Sequence, residues 1–191
     1  MIYLVRHGQT VFNREGRLQG HVDSELTELG RAQAQKVGAL LRGLVGAPRD
    51  WRVVSSPLGR ARNTAAIIAE ALGVTEVETD PGLIEVSFGV WDGRARDDLR
   101  AEYPDAFGPT GYRFNAPGCE PYDAVCARLR AWLADLEPEP DRRVIAVSHG
   151  VSGRILRGVY AGLAREAALD LPVPQDAAFR LSGGAIERFE A

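Results

Sequence analysis

The sequence predicts an α/β fold built on a central, mostly parallel β-sheet, and three observations carry that expectation. Short β-favouring apolar runs such as "IYLV" (2–5) and "RVIAVS" (143–148) alternate with longer amphipathic stretches. The amphipathic stretches carry recognisable ends, such as Thr27 before one and Gly73 after another. The chain has 191 residues, 45% hydrophobic and 26% charged, an ordinary globular composition for which one domain (1–191) is the default. A chain this long buries roughly 70% of the surface it exposes when unfolded.

Taken in order, "IYLV" (2–5) reads as a strand and 8–26 as a long polar loop. "TELGRAQAQKVGALLRGL" (27–44) reads as a helix with Thr27 as its N-cap. "WRVVSS" (51–56) is a short strand, followed by a helix over 57–73 that Pro57 opens and Gly73 closes. "TEVETD" (75–80) reads as a strand and "RDDLRAEYP" as a helix stopped at Pro104. Four prolines among glycines and aromatics mark 104–121 as a loop or cap, and 94–121 is the expected extent of the cap. Helix 122–136, strand 143–148 and helix 150–163 follow. The tail 178–190 reads as a hairpin about Ser-Gly-Gly.

Composition excludes several classes of function. A net charge of −3 argues against nucleic-acid partners, which need a basic face. The N-terminal apolar run stops at Arg6, too short for a signal segment, and no stretch approaches the ~20 apolar residues of a membrane span. Cys119 and Cys126 stand at i and i+7 on the expected helix, about 10 Å of rise apart and beyond disulfide reach. Two buried thiols in a reducing cytoplasm is the expectation. Lys36 is the sole lysine, so cationic chemistry falls to arginine.

Chemistry gathers where strands end. In open α/β sheets ligands bind outside the carboxyl ends of the strands. Arg6-His7-Gly8, Ser56 through Arg60, and Ser148-His149-Gly150 each follow a predicted strand, and two of the three histidines stand there before glycine. The joint pattern resembles the histidine phosphatase superfamily, the phosphoglycerate-mutase-like proteins. The resemblance runs through "LVRHGQTVFNREGRLQGHVDSELTELGRAQA" (4–34), "SSPLGRARNTAAIIAEALG" (55–73), "LIEVSFGVWDG" (83–93), "PGCE" (117–120) and "VSHGVSGRIL" (147–156).

That resemblance implies a three-layer α/β/α sandwich with a small cap over the carboxyl edge of the sheet. It also implies a role for each matching residue. His7 would attack phosphorus through one ring nitrogen while the other is held as a donor. Arg6 and Arg60 would clamp the phosphoryl oxygens as planar forks, with His149 as a further donor. Glu85 would protonate the leaving oxygen and then activate water, its apolar setting in "LIEVSFG" favouring the protonated acid. Asn13, Gln19, Gly20 and Gly150 would line the phosphate pocket, and Arg62 matches a position that faces substrate in some members. His21 reads as an exposed loop residue. Arg94, Arg96, Tyr112 and Arg113 fall in the expected cap and are candidates to read the leaving group, and Arg188 reaches the site only if the tail packs there.

The short segment after Glu85 resembles the phosphatase branch rather than the cofactor-dependent mutases. The expected activity is therefore hydrolysis of a small phosphorylated metabolite through a phosphohistidine. The alternatives are a 2,3-bisphosphoglycerate-dependent phosphoglycerate mutase and a non-catalytic phospho-ligand binder. Rival chemistries fail on spacing: neither cysteine has an arginine six residues later, no Asp-x-Asp signature follows a strand, and Gly-x₄-Gly-Lys is absent. Three scattered histidines imply no metal centre, and no cofactor is expected. A cytoplasmic location is expected; no membrane or nucleic-acid partner is, and a homodimer stays open.

Overall fold

Alternation within the first strand sorts the molecule into two faces. In β1 (Ile2–Arg6), Ile2 and Leu4 belong to one buried cluster and Tyr3 and Val5 to another, as the period of two along a strand requires. β4 (Val144–Ser148) repeats this, with Val144 and Ala146 on the first face and Ile145 and Val147 on the second. The computed structural model describes residues 1–107 and 114–191, so Tyr112 and Arg113 lie outside the described residues.

The remaining strands are β2 (Arg52–Ser55), β3 (Val77–Thr79), β5 (Ala177–Ser182) and β6 (Ala185–Glu190), and the sheet order is β3-β2-β4-β1-β5-β6. The β3–β2, β2–β4 and β4–β1 pairs are parallel, while β5 runs antiparallel to β1 and to β6. The helices are α1 (Val11–Arg14), α2 (Glu28–Leu44), α3 (Gly59–Leu72), α4 (Arg96–Glu102), α5 (Tyr122–Ala134), α6 (Gly150–Ala161) and α7 (Arg165–Asp170). Helices α2 and α3 cover the Tyr3 face through Val37, Leu41, Ala65 and Ile68. Helices α5 and α6 cover the Ile2 face through Leu129, Trp132, Ile155 and Leu156. This is the three-layer, mostly parallel arrangement expected from the sequence.

Local departures have local causes. The loop 8–26 contains α1, started by a reciprocal cap: Thr10 Oγ1 accepts from Asn13 N at 3.1 Å while Thr10 N donates to Asn13 Oδ1 at 3.2 Å. Thr27 caps α2 as expected, and Gly73 closes α3 at φ +70°. Helix α3 begins at Gly59, so Pro57 precedes it rather than opening it. Cys119 lies before α5, not on it, and is a free thiol like the buried Cys126. The six-residue α7 has no counterpart among the expected elements.

Two glycines press the loop after β1 against the start of α2. A Cβ on Gly30 would fall 2.0 Å from Gln9 O, and one on Gly8 would fall 2.2 Å from Gly30 O. Both obstacles are backbone. Gly30→Ala is expected to lower unfolding stability by about 1–3 kcal/mol, read as a shift of the urea midpoint at unchanged slope.

Candidate active site

The parallel ladder delivers three polar segments to one sheet edge. His7 N donates to Ser148 O at 3.0 Å and Ser56 N donates to Val147 O at 2.9 Å, each extending a strand pairing by one residue. His7, Ser56 and His149 are thereby neighbours, and the His7 and His149 rings stand 5.2 Å apart, tilted by 60°.

His7 is held in one tautomer. Its Nδ1 lies 2.8 Å from Gly8 O, a partner that can only accept, so Nδ1 carries the hydrogen and Nε2 keeps its lone pair. Burial holds the imidazole well below the ordinary histidine range, and the charges of Arg60 and Arg6 push the same way against the Gly8 carbonyl. At neutral pH His7 is unprotonated, with the Nε2 lone pair free.

His149 is buried too, with Nε2 2.7 Å from Ser56 Oγ and Nδ1 without a partner. Burial again lowers its pKa well below the usual range, followed by the charge of Arg60. Gly150 and Val151, the residues after it, line the main cavity, and His149 borders a smaller space beside Arg6 and Val173.

These two histidines set a stability prediction. Both fold with lowered pKa values, so above about pH 6.5 neither state takes up a proton and their contribution is intact. Below that value only the unfolded chain is protonated, and stability falls as pH falls, by up to about 1.4 kcal/mol per pH unit for each histidine. Urea unfolding at pH 7.5 and 5.5 should therefore differ by about 2–3 kcal/mol, and His149→Asn should remove about half of that difference.

Arg6 and Arg60 are fixed from behind. Arg6 Nη1 donates to Val173 O at 2.7 Å. Burial lowers its pKa to about 10, with Glu85 opposing and Arg154, Arg96 and Arg60 adding to the drop, so it stays charged at neutral pH. Arg60, 1% exposed, donates from Nη2 to Gly20 O at 2.7 Å and from Nη1 to Val22 O at 3.0 Å and Asp23 Oδ1 at 3.1 Å. The Asp23 carboxylate also accepts from the backbone N–H of Gly59 and Arg60, tying the loop to the start of α3. The Nε atoms of both arginines are buried without partners.

Glu85 lines the same cavity and also caps α6. Its Oε1 accepts from Val86 N and Ser152 N, both at 2.9 Å, and its Oε2 from Val151 N at 3.2 Å. The apolar setting expected from "LIEVSFG" is present in the buried Leu83 and Val86, but three backbone donors accompany it. His21, read as a loop residue, places Nε2 2.8 Å from Glu85 O and so braces this segment.

The cavity has a volume of about 290 Å³. Asn13, Gln19, Gly20 and Gly150 all line it. Asn13 Oδ1 accepts from Thr10 N and, at 3.0 Å, from Gln175 Nε2. Gly20 has φ +50°, and a Cβ there would fall 1.7 Å from Asp92 Oδ1; the close approach it permits is to Asp92. Gly150 backs Arg6, whose Nε would lie 3.5 Å from a Cβ at that position.

Other expected contacts are not brought together. Arg62 is exposed on α3 and does not line the cavity. Two residues along a helix is a rotation of about 200°, so burying Arg60 turns Arg62 to solvent. Arg94 pairs with Glu102 and Arg188 with Glu190, both away from the cavity, whereas Arg96 lines it. Arg17 and Arg154 line it too and went unread in the sequence. Arg154 stands four residues after Gly150, one helical turn along the same face, which was the available signal. Gln175, which donates to His7 O at 3.1 Å, lies too far along the chain for any local pattern to find.

Among the described residues no group of three or more His, Cys, Asp or Glu is placed to hold a metal ion, and no helix is long and apolar enough to cross a membrane. The chain is 39% identical over 166 residues to "Probable phosphoglycerate mutase GpmB" of Erwinia tasmaniensis, covering 85% of this chain and 75% of that one. It is similar to the solved mycobacterial glucosyl-3-phosphoglycerate phosphatase, with 30% identity, a TM-score of 0.79 and coverage of 99% and 96% of the two chains. It is also similar to Bacillus stearothermophilus YhfR, with 29% identity, a TM-score of 0.79 and coverage of 97% and 93%. The profile of the histidine phosphatase superfamily (branch 1) matches residues 2–183, and with the edge of the sheet assembled as above the chain belongs to that superfamily.

Proposed function

We propose that this protein is a phosphomonoester hydrolase working through a phosphohistidine on a small phosphorylated metabolite. The observation that carries the reading is His7: neutral, held at Nδ1 by Gly8 O, and lining a cavity with Arg6, Arg60 and Glu85. Nε2 attacks phosphorus, the N–P bond forms, and the ester P–O bond breaks toward Glu85, which gives the leaving oxygen its proton. Water then attacks the phosphohistidine, Glu85 takes a proton from it, the P–N bond breaks and inorganic phosphate leaves. Arg6 and Arg60 hold the equatorial oxygens throughout, where charge in phosphoryl transfer accumulates.

Of the Glu85 oxygens, Oε2 accepts one long N–H bond against two shorter ones at Oε1, and Oε2 is the one assigned to carry the proton. His149 becomes a donor to the phosphoryl group once a dianion offsets the cost of its charge. Residues 94–121 are assigned as the cap. The name of the mycobacterial relative supports hydrolysis, and that of the Erwinia relative supports the second reading, a mutase.

The test is phosphate release from an aryl phosphate between pH 5 and 8, with and without EDTA. Hydrolysis insensitive to the chelator is expected, persisting below pH 6.5 because His7 stays neutral there. Abolition by EDTA would refute the mechanism. Interconversion of 3- and 2-phosphoglycerate that needs added 2,3-bisphosphoglycerate, with no comparable phosphate release, would establish the mutase instead.

A further inference from the structure

Gln175 belongs to none of the elements that build the cavity edge, yet it holds two residues that do. It lies between α7 and β5, just after Pro172 and Pro174, whose rings fix φ at about −65°. Anchors stand on both sides of it. Pro172 O and Val173 O accept from Arg157 and Arg6 at 2.6 and 2.7 Å, and Asp176 O accepts from Ala191 N at 2.9 Å. Arg157 is itself buried, its guanidinium 3.9 Å over the Phe179 ring. The Gln175 side chain therefore extends from a tethered backbone.

Its one amide nitrogen serves two acceptors. Gln175 Nε2 donates to His7 O at 3.1 Å and to Asn13 Oδ1 at 3.0 Å. An NH2 group carries two hydrogens, so both bonds can be made at once. Backbone groups at the two ends set the polarity of this chain of bonds. His7 O can only accept, so the Gln175 atom facing it is the NH2 and not the carbonyl. Thr10 N can only donate, and it reaches Asn13 Oδ1 at 3.2 Å, so the Asn13 atom facing both donors is the carbonyl oxygen. The two ends agree on one orientation of the Asn13 amide.

That orientation decides what Asn13 offers a ligand. Asn13 lines the cavity with Arg6, His7 and Arg60. An ionised phosphoryl oxygen only accepts, so an asparagine carbonyl turned toward it repels and an NH2 binds. Turning the amide over would set Nδ2 against the N–H groups of Thr10 and Gln175, donor against donor.

We propose that Gln175 is a positioning residue, which fixes the Asn13 side-chain amide so that Nδ2 rather than Oδ1 is presented to a phosphoryl group. The role rests on the hydrolase reading only in taking the cavity as a phosphoryl site. It acts on binding, and is tested without turnover.

The experiment is calorimetric binding of inorganic phosphate to four forms of the chain: wild type, Gln175→Met, Asn13→Ala and the double variant. Methionine keeps the unbranched shape of the glutamine side chain without its donors. Asn13→Ala keeps the backbone half of the α1 cap, Asn13 N on Thr10 Oγ1. Gln175→Met is expected to weaken phosphate binding about fivefold and Asn13→Ala about tenfold, the scale of one hydrogen bond to a charged group. The double variant should also lose about tenfold, since a residue acting through Asn13 has nothing to position once that amide is gone. A loss near the product, about fiftyfold, would overturn the proposal, as would wild-type affinity in Gln175→Met. Nitrogen-15 spectra of the wild type supply a check that needs no variant. The Asn13 side-chain NH2 signals should move on adding phosphate, and unmoved signals would overturn the proposal too. Coupled losses in a protein that turns over no ester would sink the hydrolase and keep the positioning role. Ester hydrolysis with independent losses would do the reverse.

Discussion

His7→Ala is expected to reduce phosphate release by on the order of 10⁴–10⁶-fold, the scale seen when a covalent nucleophile is removed from an otherwise intact site. At the lower end this raises the barrier by about 5.5 kcal/mol. The loss follows from geometry as well as chemistry. Nε2 is the His7 nitrogen that keeps its lone pair, because Nδ1 is committed to Gly8 O, and His149 holds Nε2 on Ser56 Oγ and is not among the residues lining the main cavity. No neighbouring side chain can take over the attack. Arg6 and Arg60 stay anchored by Val173, Gly20, Val22 and Asp23, so the variant should still bind inorganic phosphate. Steady-state rates with phosphate binding measured in parallel check this. A variant that binds phosphate and keeps more than about a hundredth of the wild-type rate would remove the phosphohistidine from the mechanism.

Glu85→Gln is expected to lower turnover by about 10²–10⁴-fold, the usual contribution of a positioned acid–base group. Glutamine is the informative replacement. Its Oε1 can still accept from Val86 N and Ser152 N, which the glutamate holds at 2.9 Å, whereas alanine would also strip α6 of its cap. The two half-reactions should separate. An aryl leaving group of low basicity departs with little help from an acid, but water still needs its base, so phosphorylated enzyme should accumulate. Rapid quench should find a burst of phenol followed by slow phosphate release, with acid-labile, base-stable phosphate on the protein. Wild-type turnover in this variant would reassign Glu85 to capping alone.

Much of the fold was legible because its signals are local. Short, continuous β-favouring apolar runs in "IYLV" and "VIAVS" marked strands, and Thr27 and Gly73 marked helix ends where the structure has them. Boundaries slipped where a local rule met a tertiary contact. Pro57 looked like the opening of α3, but the Asp23 carboxylate binds the N–H groups of Gly59 and Arg60 and sets the start there. The loop 8–26 hid α1 because four residues carry no period, only the Thr10–Asn13 cap.

The edge residues Arg6, His7, Ser56, Arg60, His149 and Gly150 could be placed from sequence because each directly follows or closely succeeds a strand, and parallel strands end together. The sequence by itself determined the sheet, the edge at which polar groups gather and the residue types present there, since each depends on neighbours within a few positions. Tertiary structure decided which groups face the cavity: Arg60 and not Arg62, Arg96 and Arg154 and not Arg94, with Glu85 both lining the site and capping α6. It also decided the state of His7, which depends on burial and on two arginines from different elements. Electrostatics and burial sum over everything nearby in space, and residues as far apart as Arg6, Arg60 and Val173 become neighbours only when the chain is folded.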